Sequence, residues 1–331
     1  MHFLDGTEPG ASGVLELAQR ALELRAGAAP RRTPGKRLAT VFLNPSLRTR
    51  ASMEAAAGAL GAQTLVIAPG KDAWALELDD VPMNGDRAEH VREASAVLGQ
   101  YADVLAVRSF AGLVDADEDR QDPMLSSFAE YAGVPVINME SARWHPLQGL
   151  ADTATWMNHL GPDLRGKRLT LTWAPHPRAL PAAVPNQVLL SAALMGMDIT
   201  VAHPERFGLD PEIVARASSL AGQGGGCVRT SHDQHSATAS AEVVVAKSWS
   251  GFSGYGRREE EATERADLAH WMVTPELLAQ GAGFMHCLPV RRGVVVSPEV
   301  LDGPQSWAIE EAGNRMWTAM ALLEQMLGGT P

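Results

Sequence analysis

Along most of the chain, short runs rich in β-branched and apolar residues alternate with longer segments whose apolar residues recur at helical spacing. The runs fall at 38–43, 63–67, 104–107, 134–138, 168–173, 198–202, 243–246 and 283–286. The helical segments fall at 50–60, 89–101, 124–131, 147–160, 187–194 and 211–221. Such alternation restricts the chain to an α/β fold of mostly parallel sheets covered by helices on both faces. The pattern leaves the strand order open. A chain of 331 residues is long enough for two domains. A division at the segment 147–160 gives domains 1–147 and 148–308 with that helix as the bridge. The amphipathic stretch 309–327 predicts a long closing helix that packs back on the first domain. The proline-rich 174–186 and the charged 250–267 read as irregular loops, longer than ordinary α/β connections and of the kind that often carries function. Residues 222–226 read as a glycine-rich turn.

Charge bears directly on the ligand. The formal net charge is -11, which argues against a nucleic-acid or anionic-membrane surface. An anionic substrate must therefore be met by a local cluster of Arg and Lys working against the global field. Two cysteines, Cys227 and Cys287, are too few for a disulfide framework and point to a reducing, cytoplasmic setting. The opening MHFLDGTEPG lacks the basic and apolar regions of a secretory signal. No stretch approaches the roughly 18 consecutive apolar residues of a membrane span.

The segment Asn44-Pro45-Ser46-Leu47-Arg48-Thr49-Arg50 follows a strand and opens a helix. A helix N-terminus offers free backbone N–H groups and partial positive charge, which suits a phosphate. Ser46 and Thr49 add hydroxyls, and Arg48 adds a fork that grips two oxygens. Position alone equally allows an ordinary cap by Ser46 with solvated arginines. Arg108 stands at the carboxyl end of the strand at 104–107, where α/β ligands sit. His145-Pro146-Leu147-Gln148 precedes the bridging helix. His286-Cys287 invites a metal reading, but without a second ligand pair it makes a weak zinc site. No metal or cofactor is expected.

Taken together and in order, these segments resemble the aspartate and ornithine carbamoyltransferases. S-x-R-T-R is similar to their carbamoyl phosphate loop, with Leu47 where many members carry Thr. His145 to Gln148 resembles H-P-x-Q, residues 286–291 resemble H-C-L-P-x-R, and residues 311–315 resemble E-A-x-N-R. The resemblance implies that carbamoyl phosphate binds on the first domain, held by Ser46, Leu47, Arg48, Thr49, Arg108, His145, Gln148, Cys287, Leu288 and Arg315, with Trp74 helping from a neighbouring subunit. It makes Arg108, His145 and Thr49 the groups that stabilise the oxyanion of the attacked carbonyl. Arg291 would close on the substrates.

The acceptor is read from the departures. Ornithine carbamoyltransferases carry D-x-x-x-S-M-G, whereas this chain has Ala246-Lys247-Ser248-Trp249-Ser250. That segment, Trp74, and Trp173-Ala174-Pro175-His176-Pro177-Arg178 resemble the N-acylornithine carbamoyltransferases. The likeness implies a knotted proline-rich loop, Glu140, Lys247 and Leu288 on the acylornithine, and a homotrimer in which Trp74 enters a neighbouring subunit's site. The partners expected are carbamoyl phosphate and N-acylornithine.

Acetyl and succinyl branches differ after a Met-Asp-Gly-Asp segment, where the first carries Glu and the second Pro. This chain has Met83-Asn84-Gly85-Asp86-Arg87-Ala88, and Ala88 does not repel a succinyl carboxylate. The acetyl branch's modified lysine has no counterpart in Gly293-Val294-Val295-Val296, and His176 and Arg178 suit a second carboxylate. The sequence therefore favours N-succinylornithine, with N-acetylornithine and then free ornithine as alternatives. Two readings from other classes compete. A non-catalytic ligand-binding paralogue would have lost part of the phosphate loop or H-P-x-Q. A nucleotide-binding enzyme would need a glycine fingerprint after a strand.

Overall fold

The computed structural model describes residues 1–328. Strands β1 (Arg37–Phe42) and β2 (Gln63–Ile67) belong to the first sheet, and β3 (Leu76–Glu77) and β4 (Glu89–His90) make a separate short ribbon. The first sheet is completed by β5 (Val104–Arg108) and β6 (Val136–Glu140), in the order β2-β1-β5-β6. The second contains β7 (Arg168–Trp173), β8 (Asp198–Ala202), β9 (Cys227–Ser231), β10 (Val243–Lys247) and β11 (Gly283–Met285), in the order β11-β10-β7-β8-β9. Every pairing is parallel.

The interior strands are buried on both faces, which is why they read as continuous apolar runs. The edge strand β9 is half exposed and carries Val228 among Arg229, Thr230 and Ser231. Its sequence therefore gives no apolar run, and the strand was absent from the expected set. Two segments expected to be irregular are partly regular. Residues 250–267 contain the helix Arg258–Ala266, and the helix Ala183–Leu194 begins inside 174–186.

The helix Pro146–Leu160 starts with proline, whose fixed φ suits a first turn. It is buried on all sides through residue 157, as a helix between two domains must be. Gly149 permits that packing: a Cβ there would lie 2.3 Å from Ser191 Oγ on the helix Ala183–Leu194. The closing helix Ala308–Met326 packs on the helices Arg48–Leu60, Pro146–Leu160 and Gly10–Arg25. Arg20 holds its far end through Glu324 at 2.8 Å. A continuous apolar core thus runs from Leu38 and Ile137 in one sheet through Ala154 and Trp156 to Leu171 and Ile199 in the other. No described helix is long and apolar enough to cross a membrane.

Both sheets reverse their winding at an interior strand, between β1 and β5 in the first and between β7 and β10 in the second. Ligands of open α/β sheets bind outside the carboxyl ends of strands at such reversal points. The carboxyl ends of β1, β5, β7 and β10 lead into Asn44–Arg48, Arg108–Phe110, Ala174–His176 and Lys247–Ser248, and these segments all approach one cleft.

Candidate active site

The cleft encloses about 620 Å³ between the two sheets. Its floor is the start of the helix Arg48–Leu60. Asn44 Oδ1 accepts from the Phe110 amide at 2.7 Å, which ties the loops after β1 and β5 together. Ser46 Oγ, just before the N-cap Leu47, accepts from the Thr49 amide at 3.2 Å, which takes one amide of the first turn and leaves the others for a ligand.

Cations converge on this floor. Arg315, from the closing helix, donates to Thr49 Oγ1 at 2.9 Å and to Gln148 Oε1 at 2.8 Å. Arg108 donates to Glu140 Oε2 at 2.5 Å and reaches Thr49 Oγ1 at 3.5 Å. Lys247 enters from β10 and Arg48 from the first turn of the helix Arg48–Leu60. Burial holds His145 far below the ordinary imidazole range, helped by the charges of Arg315 and Arg108. His145 is therefore neutral near pH 7 and offers one N–H donor. Burial also lowers Arg315, to about 10. Arg108 Nε, Arg315 Nε and His145 Nδ1 are buried and have no hydrogen-bond partner among the described residues. The residues that carry them line one cleft with Arg48, Thr49 and Lys247, and this concentration of cations suits a phosphorylated ligand.

The opposite wall is a tight turn after β11. Leu288 has φ 52, a left-handed conformation costly for a residue with a side chain. Its amide donates to His286 Nδ1 at 2.9 Å, and Cys287 and Leu288 line the cleft. Burial raises the Cys287 thiol, so it is no ready nucleophile.

The segment bearing Lys247 rests on a buried anchor. Arg265 donates to Ser248 Oγ at 2.9 Å and to the Trp249 carbonyl at 2.6 Å, and pairs with buried Glu261. The indole of Trp249 donates to the Phe207 carbonyl at 2.7 Å.

A family model for the carbamoyl phosphate-binding domain of aspartate/ornithine carbamoyltransferases matches residues 1–158, and the model for the Asp/Orn-binding domain matches residues 182–326. The chain belongs to the aspartate/ornithine carbamoyltransferase family. N-acetylornithine carbamoyltransferase of Xanthomonas campestris pv. campestris is 43% identical over 299 residues, 89% of this chain and 88% of that protein. N-succinylornithine carbamoyltransferase of Bacteroides thetaiotaomicron is 39% identical over 299 residues, again 89% and 88%. A solved structure superposes with a TM-score of 0.95 at 40% identity, covering 98% of this chain and 99% of the other. It is a glutamate-to-alanine variant of N-acetyl-L-ornithine transcarbamylase complexed with carbamyl phosphate and N-succinyl-L-norvaline. The protein is a carbamoyltransferase of the N-acylornithine branch.

In this carbamoyltransferase Ser46, Leu47, Arg48, Thr49, Arg108, Glu140, His145, Gln148, His176, Lys247, Cys287, Leu288 and Arg315 all line the one cleft. The remaining expected residues lie outside it. Arg291 is exposed at the rim, donating to His176 Nε2 at 3.0 Å. Arg178 is also exposed, and its amide and carbonyl meet His176 Nδ1 at 3.1 and 3.0 Å. Trp74, 70% exposed, and Ala88 do not line their own chain's cleft. They flank the β3–β4 ribbon and so belong to one excursion on the first domain. Sequence reading missed Phe110, which stacks on Arg108 at 4.5 Å, and Asp152, which lies behind Gln148.

Proposed function

We propose that the protein carbamoylates the δ-amine of N-succinyl-L-ornithine, giving N-succinyl-L-citrulline and phosphate. The observation carrying the carbamoyl phosphate half is the convergence of Arg48, Arg108, Lys247 and Arg315, with His145, on one cleft beside the helix start at Ser46–Thr49. The phosphate lies on Ser46, Leu47, Arg48 and Thr49. The carbamoyl oxygen faces Arg108, His145 and Thr49, and its amide faces Gln148 and the turn at Cys287 and Leu288. The neutral δ-amine attacks the carbamoyl carbon. A C–N bond forms, the C–O bond to phosphate breaks, and phosphate leaves with the amine proton. Closing Arg291 over the cleft excludes water.

The succinyl half rests on Ala88, His176 and Arg178. Replacing the acetyl enzyme's glutamate by alanine gives a protein crystallised with a succinyl ligand. Ala88 supplies alanine natively where the acetyl branch carries Glu, so no carboxylate repels the succinate tail. Glu140 and Lys247 hold the amino-acid part of the acceptor. Because Ala88 and Trp74 share an excursion outside their own cleft, we place both in a neighbouring subunit's cleft within a homotrimer.

Ornithine, N-acetylornithine and N-succinylornithine assayed side by side test the acceptor. The succinyl compound should give the highest kcat/KM, and Ala88→Glu should move the preference toward the acetyl compound. A higher kcat/KM for N-acetylornithine in the unaltered protein reverses the branch, and one for ornithine removes the acylornithine reading. Mixing Trp74→Ala subunits with Arg48→Ala subunits should restore activity, since some clefts then receive both intact residues. No recovery after subunit exchange places Trp74 outside any neighbouring site.

A further inference from the structure

Behind the cleft lies a pair of carboxyl groups with no role in the chemistry so far. Asp152 and Glu311 are 1% exposed. Asp152 comes from the bridging helix and Glu311 from the closing helix. Gln148 Nε2 spends both hydrogens on them, at 2.8 Å to Asp152 Oδ1 and 2.7 Å to Glu311 Oε1. Its Oε1 accepts from Arg315. An amide whose donors are both taken cannot exchange its oxygen and nitrogen ends. Glu311 Oε2 also accepts from the His286 amide at 2.9 Å, at the root of the turn bearing Cys287 and Leu288.

We propose that Asp152 and Glu311 are positioning residues for carbamoyl transfer, orienting Gln148 as an acceptor for the carbamoyl NH₂ and fixing the 286–288 turn. The inference rests on the carbamoyl phosphate reading above. A carbamoyl NH₂ is a donor, so a flipped Gln148 would set donor against donor. Glu311 uses both oxygens as acceptors, whereas Asp152 Oδ2 has no donor partner among the described residues. The two carboxyls also bond each other, which requires a shared proton, and because both Glu311 oxygens already accept, that proton is assigned to Asp152 Oδ2. Burial and mutual repulsion raise Glu311 well above the usual carboxylate range, and burial raises Asp152 to about 7. With one proton shared, the pair carries a single negative charge against buried Arg315 and leaves the cleft cationic.

This arrangement makes two isosteric changes unequal. Asp152→Asn mimics the protonated acid, keeping an acceptor for Gln148 and a donor for Glu311. Glu311→Gln puts an NH₂ against either Gln148 Nε2 or the His286 amide. Steady-state kinetics of the full-length protein, varying each substrate, test this. Glu311→Gln should raise KM for carbamoyl phosphate about tenfold or more. Asp152→Asn should stay near the unaltered protein, and Asp152→Ala should resemble Glu311→Gln. If Glu311→Gln does not fold, the contrast between Asp152→Ala and Asp152→Asn decides. Equal KM values for Asp152→Ala and Asp152→Asn, or an unchanged KM in Glu311→Gln, overturn the proposal. An unaltered protein that transfers no carbamoyl group overturns the underlying reading and this inference with it.

Discussion

Arg108→Ala is expected to lower kcat by about 10²–10³, equivalent to ~2.7–4 kcal/mol of barrier. The Arg108 guanidinium sits at the end of β5, buried, and stacks on Phe110. It is held by Glu140 at 2.5 Å and leaves Nε unpartnered. A donor fixed before the substrate arrives needs no reorganisation when charge develops on the carbamoyl oxygen, so its removal falls on the transition state. His145 cannot compensate. It is buried and neutral, with one N–H to give. Loss of Arg108 also leaves Glu140 close to His145 Nε2, 3.5 Å away, without its cation. Stability is therefore measured in parallel, and Arg108→Lys separates charge from geometry: it keeps the former and loses the planar fork. Unchanged kcat in Arg108→Ala would remove Arg108 from the oxyanion site.

Arg265→Ala should destabilise the fold by ~3–5 kcal/mol, read as a lower midpoint in urea at unchanged slope. Arg265 pairs with Glu261 out of solvent, bonds Ser248 and Trp249, and lies 5.0 Å over the Phe207 ring and 5.5 Å over Trp173. Its removal strands a buried carboxylate and frees the segment that presents Lys247. The double change Glu261→Gln with Arg265→Met should recover much of the stability, because no unpaired charge remains. KM for the acylornithine should stay raised in the double variant, since Ser248 and the Trp249 carbonyl lose their donors in both. A midpoint shift below about 1 kcal/mol would mean the pair is effectively solvated.

The parts legible in the sequence are those whose chemistry is contiguous. Ser46 to Arg50, His145 to Gln148, His286 to Arg291 and Glu311 to Arg315 are short runs, each shaped by one strand end or helix start. Buried strands such as β5 and β10 announce themselves as apolar runs. Other features need the fold. Asp152 and Glu311 meet at Gln148 from sequence separations of 4 and 163 residues, and no local pattern encodes that meeting. β9 hides because one exposed edge removes the apolar signal. The helix Gly10–Arg25 does carry a readable stripe of Val14, Leu17, Ala18, Ala21 and Leu24, but it precedes the first strand and so falls outside the alternation. Ala88 and Trp74 show a different limit. Their proposed place in a neighbouring cleft rests on likeness, because neither lines the cleft of its own chain.

The central claim is that a cationic cleft in an otherwise acidic chain captures carbamoyl phosphate and presents it to an acylated ornithine. Calorimetric titration of the purified protein tests it most directly, using carbamoyl phosphate and then a mimic that joins a phosphonoacetyl group to the δ-nitrogen of N-succinylornithine. Saturable binding of both, with the mimic the tighter because it spans both halves of the cleft, is the expected result. No measurable binding of either contradicts the account.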